Sequence, residues 1–515
     1  MLNQLTHKQS TSLLDPTPIS SIFCGHSSLL ESLSSVTKYS KADSFNPLSL
    51  ISTSNVEELQ KLEVSNWNNE NSLISTDSSL STFWINTRIL AGTLRADTFN
   101  VSPYDRRVVI SGNGNVDFGQ GWRDLLNLSH ISYTQVSLNF ANDQGGVVFN
   151  PGNGNRVFDA INFGTGQQIL FEGIESIQFA EGIIDLTIQP NDPLFGQQWN
   201  LHMMGVHTAW RFTTGSADVM IGVQDTGLSV DFNGSIHPDL HDTIWLSNQV
   251  IDDTLSNHGT SVQGIISARS NNGFGMSGIN WNSQTFNIDV LGDEFGDLSI
   301  ANATQSMIAQ AGSNGKRLVI NMSLGTLNSF GINCDRQLEQ IVKNNPDVLF
   351  VIAAGNQGHL GIEGISSPAF LARSYSNVIA VGAAWGAQDY YGYPTVPGDR
   401  ISYQNWWGSQ YGDGLTLMGP AEVIAPLLKL TMYGTYQFDY SNLFNGTSAA
   451  TPNVAGVASL VLSANYNLSA AQVREILSQT AVDVGYKGYD KLTGYGFVNA
   501  DAAVRRAMAI GRGYA

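Results

Sequence analysis

From about residue 192 to the end, short runs of apolar and β-branched residues alternate with stretches whose apolar positions recur at helical spacing. "DVMIGVQDTG", "TFNIDVLG", "RLVINMSLG", "VLFVIAAGN" and "NVIAVGAA" are apolar almost throughout, the pattern of strands covered on both faces of a parallel sheet. "GTSVQGIISA", "ATQSMIAQAG", "CDRQLEQIVKNN" and "AAQVREILSQTA" are the helices between them. Alternation of this kind predicts an α/β fold with a doubly wound, mostly parallel sheet, whose ligand site lies at the carboxyl ends of the strands.

The texture differs upstream. Residues 81–188 read as short alternating strands separated by glycine turns, as in "RRVVISGNGNVDFGQGW" and "QQILFEGIESIQFAEGIIDLTI", and predict a small all-β domain. Its "GNGN" turns resemble the flanks of calcium-binding glycine-rich repeats. Asp117 and Asp159 do not recur at nine-residue steps, however, so ordinary hairpin turns are expected. Residues 1–80 are rich in Ser, Asn, Thr and Leu with one helix-like patch, "NVEELQKLEV", and are expected to be partly disordered. "QPNDP" (Gln189 to Pro193) is a linker into the third region, 189–515.

Composition narrows the function. A chain of 515 residues exceeds one ordinary core and predicts two or three domains. Net charge is −18, which disfavours nucleic acid or an anionic membrane as partner and suits cations, basic substrates or plain solubility. Cys24 and Cys334 offer neither a disulfide framework nor a cysteine metal site. There is no apolar run of about 18 residues to span a membrane, and the first twenty residues lack the basic and apolar parts of a secretory signal.

Candidate chemistry sits at strand ends and helix starts. "NGTSAATPNV" puts Ser448 at or near the start of a helix, "AGVASLVLSA". Ser448 is read as a helix cap or as a nucleophile, because a helix N-terminus favours negative charge and small neighbours leave room for a carbonyl. The second reading needs a base and a carboxylate. Asp225 closes the strand "DVMIGVQDTG", His258 opens the helix in "NHGTSVQGIIS", and Asn356 ends "VLFVIAAGN" with an amide able to donate to an oxyanion. All four fall on one rim of the predicted sheet.

"VQDTG", "NHGTSVQG", "AAGN" and "GTSAATPNVAG" together resemble the sequence blocks of subtilisin-like serine proteases, the subtilases, over about Asn191 to the C-terminal region. The resemblance implies Ser448 as nucleophile, His258 as general base and then acid, Asp225 as the group orienting the imidazole, and Asn356 in the oxyanion hole. Two departures stand out. Ser261 follows Thr260 where relatives have His, and "MGPAEVIAP" replaces the usual Ala-Pro-Gly turn.

Further expectations follow from the resemblance. Ser323, Leu324 and Gly325 in "INMSLG", with Leu291 and Gly292 in "VLGDEFGD", match the strands that flank an extended peptide substrate. Asp293, Glu294 and Asp297 with Glu363 imply a preference for Arg or Lys near the cleaved bond, or else are solvated loop carboxylates. A calcium ion, Ca2+, is implied at Asp192, Asp239 and Asn271 or Asn272, with carbonyls of Arg269, Gly273 and Gly275. Peptides or proteins are the expected partners, and a monomer is expected. Family resemblance points outside the cell or to the periplasm, while the missing signal leaves the cytoplasm open. The upstream region is a zymogen domain cut near Gln189 to Asp192, a permanent binding domain or an adaptor. A catalytically silent or peptide-ligating protein is the rival to hydrolysis.

Overall fold

A computed structural model of the chain describes residues 87–102, 104–240, 257–291, 299–326, 329–332 and 335–514. The expectations for 1–80, Gly292, Asp293, Glu294 and Asp297 lie outside these residues. Before Pro190 come β1 (Thr87–Ala91), β2 (Thr98–Asn100), β3 (Arg107–Ser111), β4 (Leu125–Leu128) and β5 (Val136–Asn139). After them come β6 (Val147–Phe149), β7 (Arg156–Phe163), β8 (Gln168–Glu172), β9 (Ser176–Phe179) and β10 (Ile183–Asp185).

Hairpins account for only part of this region. β7 and β8 pair antiparallel through a tight turn, as do β9 and β10, and β6 and β7 pair antiparallel around the "GNGN" turn at 152–155, with β5 also antiparallel to β7. The other pairings correct the sequence expectation: β1, β3 and β8 stack parallel in one sheet while β2, β4 and β9 stack parallel in a second. The chain therefore winds from sheet to sheet as a roll, with Ile110, Leu126, Phe171, Ile177 and Phe179 buried between the layers.

The glycines after β1, β3 and β8 are there for close approach. Gly92 N–H bonds Ser111 O at 2.7 Å and Gly112 N–H bonds Glu172 O at 2.9 Å. A Cβ on Gly112 would lie 2.3 Å from Gly173 O, so no other residue fits the stack. One residue before β2, β4 and β9, acids lie in register. Asp97 N–H donates to Asp124 Oδ1 at 2.8 Å and Asp124 N–H to Glu175 Oε2 at 2.9 Å. Burial, reinforced by the charge of Glu175, pushes the Asp124 carboxyl up to about 10, so it is neutral at physiological pH.

The downstream region opens with two short helices, α1 (Trp199–Met203) and α2 (Val206–Ala209), then β11 (Val219–Asp225), α3 (His258–Ser267), β12 (Gln284–Asp289) and α4 (Ile300–Ser313). β13 (Arg317–Met322), α5 (Arg336–Asn344), β14 (Leu349–Ala353), β15 (Val378–Ala384) and β16 (Leu415–Pro420) follow. β17 (Val423–Leu430), β18 (Tyr436–Phe444), α6 (Thr447–Ala464), α7 (Ala470–Thr480) and α8 (Ala500–Gly511) complete the chain.

The main sheet has the order β12-β11-β13-β14-β15-β16 and is parallel throughout, as the unbroken apolar runs require. β11 leaves for β12 on one side and is joined by β13 on the other, so the strand order reverses at β11. That reversal opens a crevice at the strands' carboxyl ends. β17 and β18 form a separate antiparallel hairpin that returns the chain to the start of α6.

Candidate active site

Asp225 is the last residue of β11 and is fully buried. His258 is the first residue of α3, and its Nδ1 lies 2.6 Å from Asp225 Oδ1. Several local features set that meeting. Thr226 N–H donates to the same carboxylate oxygen at 2.9 Å, while Thr226 Oγ1 accepts Gly259 N–H at 2.9 Å. The turn after β11 is thereby tied to the first turn of α3. Gly259 permits the approach, since a Cβ there would sit 2.1 Å from Gly227 O. Asn257 enters the helix at φ 57, a left-handed conformation that Asn tolerates better than most residues. Its amide exchanges two hydrogen bonds with the backbone of Leu428 on β17, at 2.9 and 2.7 Å.

Ser448 is the second residue of α6 and is half-buried. Pro452 lies four residues on, inside the helix, and lacks the N–H that would bond the Ser448 carbonyl. Ser323 Oγ donates to that carbonyl instead, at 2.9 Å, and Ser448 Oγ donates to Ser323 O at 3.2 Å. The reciprocal pair joins the expected nucleophile to the expected substrate strand. Phe444, four residues before Ser448, presents its ring to the His258 imidazole in a T-shaped contact at 5.3 Å.

Asn356 follows β14. Its Oδ1 accepts both the backbone N–H and the hydroxyl of Thr447, at 2.8 and 2.9 Å. With the oxygen engaged, the amide NH2 is the end left for a substrate oxyanion. The four expected catalytic residues therefore come from the ends of β11 and β14 and the starts of α3 and α6, with Thr226, Asn257, Thr447 and Phe444 as supports that the sequence reading did not single out.

The remaining expected residues fall as follows. Leu324 is buried, Gly325 lies against Ser366 and Ser367, and Leu291 N–H bonds Asp289 Oδ1 at 3.2 Å. Glu363 is exposed and paired with Lys491 at 2.7 Å, and Lys491 also reaches Asp413 at 3.4 Å. Its charge is thus shared before any substrate arrives. Ser261, the departure after Thr260, donates its hydroxyl to Pro426 O at 2.9 Å and pins α3 to β17. In the other departure, Glu422 sits at φ 66 and accepts the Tyr403 hydroxyl at 2.7 Å.

Asp192 and Asp239 are drawn to the same loop. Asp192 takes the N–H groups of Asn271 and Asn272 at 2.8 and 2.9 Å. Asp239 takes Met276 N–H and the Tyr440 hydroxyl, both at 2.9 Å, and the Asn272 amide at 3.3 Å. Gly275 would bring a Cβ within 2.3 Å of Asp239 Oδ2, and Gly273 and Gly275 both have positive φ. Arg269 N–H bonds Asp239 O at 2.7 Å, while its guanidinium Nε bonds Leu240 O at 2.9 Å. The two carboxylates are buried among neutral donors, and burial, with Asp192 adding, pushes Asp239 up to about 6. Among the described residues no group of three or more His, Cys, Asp or Glu is arranged for a metal. A hard cation such as calcium would take these carboxylate oxygens in place of the N–H and hydroxyl donors that hold them.

The sequence model of the subtilase family, peptidase S8, matches residues 216–496. An alkaline protease of Alkalihalobacillus alcalophilus is 34% identical over 300 residues, covering 57% of this chain and 66% of that protein. Subtilisin Savinase of Lederbergia lenta is 34% identical over 300 residues, 57% of this chain and 93% of its own. A halolysin-like extracellular serine protease of Natrialba magadii is 32% identical over 342 residues, 64% of this chain and 56% of that protein. The match thus spans just under two thirds of the first relative's length, and residues 1–190 lie largely outside the matched family region.

Proposed function

Because the chain belongs to the subtilase family of subtilisin-like serine endopeptidases, we propose that it hydrolyses peptide bonds through Asp225, His258 and Ser448. The observation that carries the reading is the 2.6 Å bond between His258 Nδ1 and the buried Asp225 carboxylate. That bond fixes the imidazole with Nδ1 protonated and leaves Nε2 as the base. His258 takes the Ser448 hydroxyl proton as Oγ attacks the scissile carbonyl, and Asp225 stabilises the imidazolium. The oxyanion is met by the Asn356 amide and the Ser448 backbone N–H. His258 then returns the proton to the leaving amine, and water repeats the sequence to free the enzyme.

Peptides pair with Ser323, Leu324 and Gly325 on one side and with Leu291 and Gly292 on the other. The chain works as a monomer, without nucleic acid or membrane partners, and outside the cytoplasm, as its relative from Natrialba magadii is named for. Among the described residues no helix is long and apolar enough to cross a membrane. Calcium at Asp192, Asp239 and Asn271 or Asn272 would neutralise the two buried carboxylates; its contribution is to stability, not to chemistry. Residues 81–188 form a small all-β domain between the N-terminal segment and the catalytic domain, and the enzyme processes its own chain.

Fluorophosphonate labelling followed by peptide mapping tests the triad. Label on Ser448 and peptide hydrolysis that both vanish in Ser448→Ala are expected. An unlabelled protein that hydrolyses nothing sinks the reading. Chelation should lower the melting temperature, and an unchanged melting curve would remove calcium from it.

A further inference from the structure

Arg505 on α8 is completely buried, yet its guanidinium is satisfied largely from the β roll. It donates to Val157 O at 2.9 Å and Asp159 Oδ2 at 2.8 Å, as well as to Asp501 Oδ2 at 2.7 Å. Asp159 is itself fully buried and takes Arg211, just beyond α2, at 2.9 Å. Asp501 in turn accepts Gly173 N–H from the turn after β8 at 2.9 Å. A second buried pair, Glu175 with His207 at 2.8 Å, lies between the turn before β9 and α2.

Backbone and apolar contacts close the same seam. Asn115 N–H bonds His202 O at 3.1 Å, Ile188 N–H bonds His207 O at 2.9 Å, and Asn153 donates to Gln479 O on α7 at 2.8 Å. A Cβ on Gly114 would stand 1.8 Å from Met203 O, so the two backbones touch. Leu94, Val116 and Phe118 of the roll belong to the same apolar core as the main sheet.

These contacts land on α1, α2, α7 and α8. The catalytic groups come instead from the ends of β11 and β14 and the starts of α3 and α6. A segment built to block the cleft and depart must leave a face that tolerates water. Departure of the roll would take Asp159 from both Arg505 and Arg211 and leave Arg505 with Asp501 alone, a severe penalty for guanidinium groups in a low-dielectric interior. The link is also tied down, since Pro190 and Asp192 are buried and Asn191 N–H bonds Asn271 Oδ1 at 3.2 Å.

We propose that residues 87–188 are a permanent part of the working protease, docked through activation and turnover on the face away from the cleft, so that a cut at 189–192 does not release them. The proposal rests on the peptidase reading only for the word protease.

The full-length protein is incubated with calcium and casein, labelled with a fluorophosphonate, and passed over a sizing column before denaturing gels and mass spectrometry. The labelled species should contain residues 87–188, continuous or nicked and co-eluting. Label on a species lacking them overturns the proposal. Failure of the peptidase reading is scored separately: Ser448→Ala nicked in the link by added protease should still co-elute as one particle, whatever its activity. Arg505→Met should speed loss of the roll after nicking by more than tenfold. Should that variant not fold, Arg211→Gln, which removes one of the two guanidinium partners of Asp159, decides. Release no faster than wild type takes the charge network out of the argument.

Discussion

At the residue scale, the placing of Asp225, His258, Asn356 and Ser448 around strand ends and helix starts was legible because each stands at a boundary between an apolar run and a glycine or hydroxyl turn. Their supports were not, since a bond such as Ser323 Oγ to Ser448 O joins positions that no local pattern connects. Pro452 makes that bond matter, having removed the helix's own donor to the same carbonyl. Ser323→Ala should therefore lower kcat about tenfold with little change in melting temperature, measured on one peptide substrate; a fall in stability alone would make the bond merely structural. Asn356→Ala should lower kcat by about 10²–10³, the general magnitude for one oxyanion donor, which subtilisin itself exemplifies. KM should hold. Asp124 gives a prediction of the opposite sign. Its carboxyl ionises near 3.8 when unfolded and only near 10 in the fold, so between those values the native state holds the extra proton and stability falls as pH rises. Asp124→Asn keeps an acceptor for Asp97 N–H and removes that loss. The variant's advantage in melting temperature should be small at pH 5 and grow toward pH 9.

At the scale of elements, the strands and helices of the main sheet were readable because burial on both faces writes an apolar run that local sequence carries by itself. The roll was not. Thr87 pairs with Arg107, and Arg107 with Gln168, so successive coils differ greatly in length and the insertion of β5 to β7 hides the repeat. What repeats is a glycine after one strand and an acid before the next, at Gly92 and Asp97, Gly112 and Asp124, Gly173 and Glu175. Hairpin turns were the natural reading of glycines alone, whereas the parallel stack needs them for backbone contact. The same kind of contact positions α3, where Gly259 lies against Gly227. Gly259→Ala must push the helix start away from β11 by the better part of an ångström, and His258 moves with it. The expected result is at least a tenfold loss of kcat while the sheet, built from other contacts, keeps most of its thermal stability. Unchanged kcat would mean that the His258 to Asp225 bond does not depend on this approach.

At the scale of the whole molecule, the net charge of −18 acts on substrates before any pocket does. A field of that sign concentrates cationic peptides at the surface and is screened within about 8 Å at physiological salt and 3 Å at 1 M. Glu363, expected from sequence to draw Arg or Lys by direct pairing, is bound by Lys491, which also serves Asp413. The two routes to a basic preference can therefore be separated. Two peptides with the same scissile residue, one flanked by Lys and one by Glu, should differ several-fold in kcat/KM at low salt, and the ratio should approach one near 1 M. Lys491→Gln should then raise the Lys-flanked rate further at low salt, because Glu363 loses the cation that shares its charge. A ratio already resistant to salt in the wild type would place the preference in a direct contact and overturn the steering argument.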